Sequence, residues 1–269
     1  MNKSSQTCIV TFYDKPFRVF GQLAWRSIER YAEIHNYDTL RFHERLTDRP
    51  VSWEKIICIQ KAFEMGYEFV FWIDADAIIV DVSEDIRSVV KSDKDFFLVH
   101  HVVEGGYSPN MGVFLIRNTE KTKQILSDIW SMEHYISHRW WEQGAFMDYF
   151  GLIQDLCPKE QELFKGFQSH PKPHPPGPVE SVVDWISSRW NVIPHVNPEA
   201  KPIINHYAGL SGLIKNKIFR LHGMITDTLQ CGYLSRRNFF PYIYYYSILC
   251  VTKFLLWAAK TRRSFRTSR

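Results

Sequence analysis

The sequence predicts an α/β fold with a doubly wound, Rossmann-like start. Two patterns carry that prediction. Segments with strand and helix periodicity alternate β-α-β-α-β from residue 7 to residue 73, the order of helices packed on a sheet with parallel strands. The third strand, Glu68-Phe69-Val70-Phe71-Trp72-Ile73, is an almost unbroken apolar run, as befits a strand covered on both faces in the middle of a parallel sheet. With 269 residues, of which 45% are hydrophobic and 23% charged, the chain can bury a sizeable core.

Residues 7–13 read as the first buried strand. Residues 17–36 read as a helix with Val19, Leu23, Ile28, Tyr31 and Ile34 roughly on one face. Asn36-Tyr37-Asp38 turns the chain into a second strand, Thr39-Leu40-Arg41-Phe42. Residues 52–65 form the next helix, with Ser52 as its N-cap and Gly66 as its stop. Beyond the third strand, residues 96–100 and 112–117 read as strands, and 119–136 and 141–150 as helices. The proline-rich run at 171–178 is a loop or an extended lid. No glycine-rich dinucleotide fingerprint follows the first strand, which disfavours a nicotinamide enzyme.

Composition narrows the class further. Aromatic residues make up 15% of the chain, and most of them are expected in the core, although such rings also line sugar and nucleobase sites. The five cysteines are odd in number and lack metal-ligand spacing, which argues against a disulfide framework and for a reducing compartment. Eight of the 33 Lys and Arg fall after Thr228 with no acid among them, leaving 25 bases against 29 acids before that point. A mildly acidic body with a basic tail is not the pattern of a nucleic-acid binder. The polar Met1–Gln6 followed at once by a strand predicts no signal peptide or N-terminal anchor, hence a cytoplasmic rather than secreted protein.

Asp74 and Asp76 follow directly on the apolar third strand. Ligands of α/β sheets bind beyond the carboxyl ends of strands. Two carboxylates one residue apart there can turn toward a single hard cation, Mg²⁺ or Mn²⁺, and such a cation clamps a diphosphate. A phosphatase with an Asp-x-Asp nucleophile normally carries it on the first strand. Here the pair follows the third strand, and Ala77-Ile78 stand where Thr or Val is usual.

Trp53-Glu54-Lys55, a helix, and then Phe71-Trp72-Ile73-Asp74-Ala75-Asp76-Ala77-Ile78-Ile79-Val80-Asp81 resemble the galactosyl/xylosyl/mannosyl transferase family, which includes fungal mannan-assembly enzymes and plant xyloglucan xylosyltransferases. Three further segments are similar in the same order: Asn110-Met111-Gly112-Val113-Phe114-Leu115-Ile116-Arg117-Asn118, Trp141-Glu142-Gln143-Gly144-Ala145-Phe146, and Asn205-His206-Tyr207-Ala208-Gly209. The resemblance runs from Thr11 to Lys215. It implies a GT-A-type mixed sheet flanked by helices, spanning residues 1–225, and transfer of a sugar with retention from a UDP- or GDP-sugar to a glycan hydroxyl.

The resemblance also implies roles for single residues. His206 joins Asp76 and Asp74 as a metal ligand, and an imidazole in the set favours Mn²⁺ over Mg²⁺. Gly209 lets the backbone approach the diphosphate, and Lys215 offsets its charge. Lys55 reaches the donor phosphates or sugar, and Asn110 bonds donor-sugar hydroxyls. Thr11, Tyr13 and Asp14 leave the first strand where base and ribose sit, with Tyr13 stacking on the base or simply packing. Gln143 lies beside the anomeric carbon. Glu142 orients the acceptor or steadies charge on the sugar, or else is the nucleophile of a double displacement. Two other functions use the same residues: a nucleotide-sugar hydrolase with water as acceptor, and a non-catalytic sugar-nucleotide or glycan-binding scaffold.

Residues 226–269 read as a basic, aromatic-rich appendage. Tyr242–Ala259 is strongly apolar, yet Lys253 lies well inside it. With tyrosines, Trp257 and the basic flank Lys260–Arg269, it reads first as an amphipathic helix on the inner face of a membrane. A helix docked on the catalytic domain or on a second subunit, and a true span, remain the alternatives.

Overall fold

The computed structural model describes residues 6–170, 178–199 and 201–209. The expectations for residues 171–177, for Lys215, for the boundary at 225 and for the apolar tail concern residues outside these ranges. Among the described residues, no helix is long and apolar enough to cross a membrane.

The first strand, β1 (Thr7–Phe12), is buried at every position. Helix α1 (Arg18–His35) follows and ends where Asn36 takes the left-handed conformation at φ 55°. Its buried face matches the one the sequence predicts at Ile28 and Tyr31 only. Val19 and Ile34 are exposed, and the helix packs through Gly21, Ala24, Trp25, Ile28, Tyr31 and Ala32. Gly21 lies so close to the Tyr13 ring that any Cβ there would overlap it.

Strand β2 (Asp38–Phe42) pairs parallel to β1. A 3₁₀ turn, Val51–Trp53, precedes helix α2 (Glu54–Glu64), so Ser52 lies inside that turn and is not the N-cap. Its hydroxyl has no hydrogen-bond partner among the described residues. Gly66, at φ 80°, ends the segment as the sequence predicts. Strand β3 (Phe69–Ile73) then pairs parallel to β1.

On its other side β3 pairs antiparallel with β6 (Gly106–Arg117), which gives the mixed sheet that the resemblance implies rather than the all-parallel setting suggested by the apolar run alone. Strands β5 (Phe96–Val103) and β6 form a long hairpin closed by Glu104 and Gly105 at φ 49° and 85°. Positive φ at both loop residues matches the twist of the flanking strands. Glu-Gly is a weaker hairpin signal than Asn-Gly, so the sequence suggests only two shorter strands. With β7 (Val183–Trp185) parallel to β5, the six-stranded sheet runs β2-β1-β3-β6-β5-β7.

Helix α3 (Glu120–Ser131) is capped reciprocally by Thr119 and Thr122 and gives way to a 3₁₀ turn, Glu133–Ser137. Helix α4 (Trp141–Tyr149) follows. Trp53, Phe96, Phe114, Tyr135, Phe146 and Phe164 are fully buried in the larger core cluster, so most of the aromatic content described is core. Cys8, Cys58 and Cys157 are buried free thiols.

A second, two-stranded sheet brings distant residues to the end of β3. Strand β4 (Ala77–Ile79) leaves β3 through a tight turn and pairs antiparallel with β8 (Ile204–His206).

Candidate metal and donor site

Asp74–Ala77 is the turn between β3 and β4, closed by Ala77 N–H donating to Asp74 O at 3.0 Å. Asp74 N–H donates to Gly112 O at 2.7 Å, which ties the turn to β6. In the small sheet Ala77 stands opposite His206, so the register places the imidazole beside Asp76. Tyr207 N–H donates to Asp76 O at 2.9 Å and fixes that arrangement. Ligand atoms of Asp74, Asp76 and His206 thus lie within 4.8 Å of one another. Nε2 of His206 is 3.2 Å from Asp76 Oδ1 and 3.9 Å from Asp74 Oδ2. The Asp74 side chain is 29% exposed, against 3% for His206, so the site opens on the Asp74 side.

Two carboxylates and an imidazole converging on one point fit a divalent cation of intermediate hardness. Supporting contacts hold each ligand. Trp72 Nε1–H donates to Asp74 Oδ1 at 2.6 Å. His206 Nδ1 lies 3.0 Å from Oδ1 of Asn191. Such contacts to the second ring nitrogen orient metal-binding histidines.

Gly112 makes room for the ring, because a Cβ there would fall inside the His206 imidazole. A Gly112→Ala chain is therefore expected to lose about 1–3 kcal/mol of stability by overpacking. It should also bind Mn²⁺ at least tenfold more weakly, since the ring must move. Thermal unfolding and a Mn²⁺ titration check both; an unchanged affinity would mean His206 is not a ligand.

Lys55 extends the site inward. Its ammonium donates to Met111 O at 2.6 Å and to Glu142 Oε1 at 2.9 Å, and lies 3.4 Å from Asp74 Oδ1. Burial works against its charge, but the carboxylates of Asp74 and Glu142 outweigh it and hold the pKa above the ordinary value. Glu142 is 7% exposed, and its Oε2 has no hydrogen-bond partner among the described residues. Gln143 Oε1 accepts Met111 N–H at 3.3 Å, so both polar groups of the Met111 backbone are held by the site. Asn110 Oδ1 accepts Gly112 N–H at 2.9 Å. The structure therefore gathers Lys55, Asp74, Asp76, Asn110, Glu142, Gln143 and His206 around the junction of β3 and β6.

The other candidates lie farther along the strand ends. Thr11 is buried at the carboxyl end of β1, with its hydroxyl lacking a partner among the described residues. The Tyr13 ring packs on Gly21. Asp14 Oδ1 accepts Phe17 N–H at 3.3 Å, in the turn that opens α1. Gly209 is exposed with φ 73°, a left-handed conformation that glycine adopts without strain.

Two residues escape sequence reasoning. Asn191 is fully buried in the 3₁₀ turn Ser188–Asn191. His101 is 3% exposed on β5, opposite Ser108, and neither ring nitrogen has a partner among the described residues. Burial, with smaller effects from His206 and His100, pushes its pKa down to about 4, so it is neutral at pH 7. The doubled His100-His101 at the end of an apolar strand was the available signal; Asn191 offered none.

The model of the galactosyl transferase GMA12/MNN10 family matches residues 25–103. A glycosyltransferase involved in the glycosylation of the major capsid of PBCV-1 is 18% identical, with 82% of this chain and 98% of that chain aligned and a TM-score of 0.55. The glycosyltransferase GlyE of Streptococcus pneumoniae TIGR4 is 11% identical over 87% of this chain and 64% of its own, with a TM-score of 0.49. No curated protein matches the sequence. On a GT-A-type fold, the chain resembles the galactosyl transferase GMA12/MNN10 family through residues 25–103, the stretch that carries Lys55, Asp74 and Asp76.

Proposed function

We propose that the chain is a retaining glycosyltransferase that moves a sugar from a UDP- or GDP-sugar to a glycan hydroxyl, with Mn²⁺ at Asp74, Asp76 and His206. The observation that carries this reading is the convergence of those three side chains at the carboxyl end of β3. Bound there, Mn²⁺ would neutralise charge growing on the departing diphosphate. Thr11, Tyr13 and Asp14, at the end of β1, are the proposed base and ribose contacts. Gly209 and Lys215 are assigned to the diphosphate, and Asn110 to the donor sugar.

In the reaction, the bond from the anomeric carbon to the diphosphate oxygen breaks. The acceptor oxygen bonds to that carbon on the same face, and the acceptor proton leaves with the diphosphate. Gln143 is assigned to the anomeric carbon. Glu142, held through Oε1 by Lys55 and thereby weakened as a nucleophile, serves as a fixed negative charge beside the sugar. Lys55 positions Glu142 and Asp74 in this reading.

The test is a screen of UDP- and GDP-sugars with Mn²⁺, reading nucleoside diphosphate release with and without glycan acceptors. Release that rises with an acceptor supports transfer. Full release with water alone makes the protein a hydrolase, and binding without turnover makes it a scaffold.

A further inference from the structure

The hydrogen bonds around Asn191 dictate where the protons of the site sit. One end of its buried amide meets three oxygens: Asn110 O and Asn110 Oδ1, both at 3.1 Å, and Val113 O at 3.4 Å. Only the NH₂ end suits three acceptors, so the oxygen end faces His206 Nδ1 at 3.0 Å. An oxygen in that position calls for a proton on Nδ1. The neutral ring then presents a bare lone pair from Nε2, 3.2 Å from Asp76 Oδ1 and 3.9 Å from Asp74 Oδ2. A lone pair facing two carboxylates is repulsive until a cation lies among them.

The same amide acts on Asn110. Asn110 Oδ1 accepts from both Asn191 Nδ2 and Gly112 N–H, so its oxygen end is consumed. The NH₂ end of Asn110 is left as the donor available to a ligand oxygen.

We infer that Asn191 is a positioning residue that locks His206 in the Nδ1–H tautomer, aims Nε2 at the metal position, and ties that position to Asn110. The inference rests on the reading of Asp74, Asp76 and His206 as metal ligands. A buried amide without this duty would be an expensive way to fill the space, because each of its polar atoms must find a partner.

Two measurements test it. The first is long-range ¹H–¹⁵N NMR of ¹⁵N-histidine-labelled, metal-free protein above the imidazole titration range, with His206→Gln supplying the assignment. The expected pattern for His206 is Nδ1–H with an unprotonated Nε2; an Nε2–H pattern overturns the inference. The second is a Mn²⁺ titration followed by EPR of the free ion, comparing wild type with Asn191→Leu. The variant should bind about 10–100-fold more weakly, the usual effect of removing an outer partner of a ligand. Equal affinity in a folded variant overturns the inference. If Asn191→Leu does not fold, the wild-type tautomer decides alone. A wild type with the Nδ1–H tautomer but no Mn²⁺ binding overturns the metal reading and leaves the lock standing, so the two failures are distinguishable.

Discussion

An Asp76→Asn chain is expected to lose at least about a hundredfold in metal-dependent turnover and to lose its Mn²⁺-induced rise in Tm. Asp76 is nearer the imidazole than Asp74 is, at 3.2 Å against 3.9 Å, and its carbonyl is pinned by Tyr207 N–H. An amide keeps the shape and removes the charge. A cation that polarises a leaving phosphate is worth several kcal/mol in the transition state. Each 1.4 kcal/mol lost is a factor of ten in rate. A wild type held at 100 times its dissociation constant for Mn²⁺ gains about 2.7 kcal/mol of stability, and the variant should gain almost none under the same conditions. Thermal scans with and without Mn²⁺ separate this loss from a folding defect, because the metal-free variant should still unfold cooperatively.

Lys55→Met is expected to be the most damaging single change to stability. The side chain is 6% exposed and meets Glu142, Asp74 and the Met111 carbonyl at once. Methionine fills the space but leaves the Glu142 carboxylate buried and uncompensated. Breaking a buried pair from one side costs about 3–5 kcal/mol. For a chain of this size that lowers Tm by roughly 6–20 °C. Adding Glu142→Gln removes the stranded charge, so the double variant should recover most of the stability while staying inactive. Additive losses in that cycle would show that the two side chains are not energetically coupled. The deficit should shrink as pH falls, because protonation neutralises the carboxylate that the substitution strands. In the wild type the carboxylates of Asp74 and Glu142 hold the Lys55 pKa above its ordinary value, so its contribution is complete below the unfolded pKa and is lost only as pH rises through the folded pKa.

Much of this site was legible in the sequence. An unbroken apolar strand ending in Asp74-Ala75-Asp76 located the carboxylates, and the order of three later segments led to Asn110, Glu142-Gln143 and His206. The apolar strand located the carboxylates by itself, whereas the later residues came from the family resemblance of their segments.

What escaped depends on contacts distant in sequence. Lys55 was identifiable, but its buried bridge to Glu142, 87 residues away, was not. The space beside Gly112 is taken by a ring 94 positions later in the chain, and only the β4/β8 register brings it there. Asn191 sits in a 3₁₀ turn with no periodicity to mark it, and its value comes wholly from His206, Asn110 and Val113. The buried face of α1 was foreseen only in part, at Ile28 and Tyr31: hydrophobicity picks out large residues, whereas Gly21 and Ala24 are buried there too.

In the proposed reading Asp74, Asp76 and His206 together hold a divalent cation. Pulsed EPR of Mn²⁺ bound to the protein tests it most directly, because a coordinated imidazole imprints its nitrogen on the electron-spin echo. A single bound Mn²⁺ is expected, with nitrogen modulation that disappears in His206→Ala. Bound Mn²⁺ without nitrogen modulation, or modulation that survives His206→Ala, would contradict it.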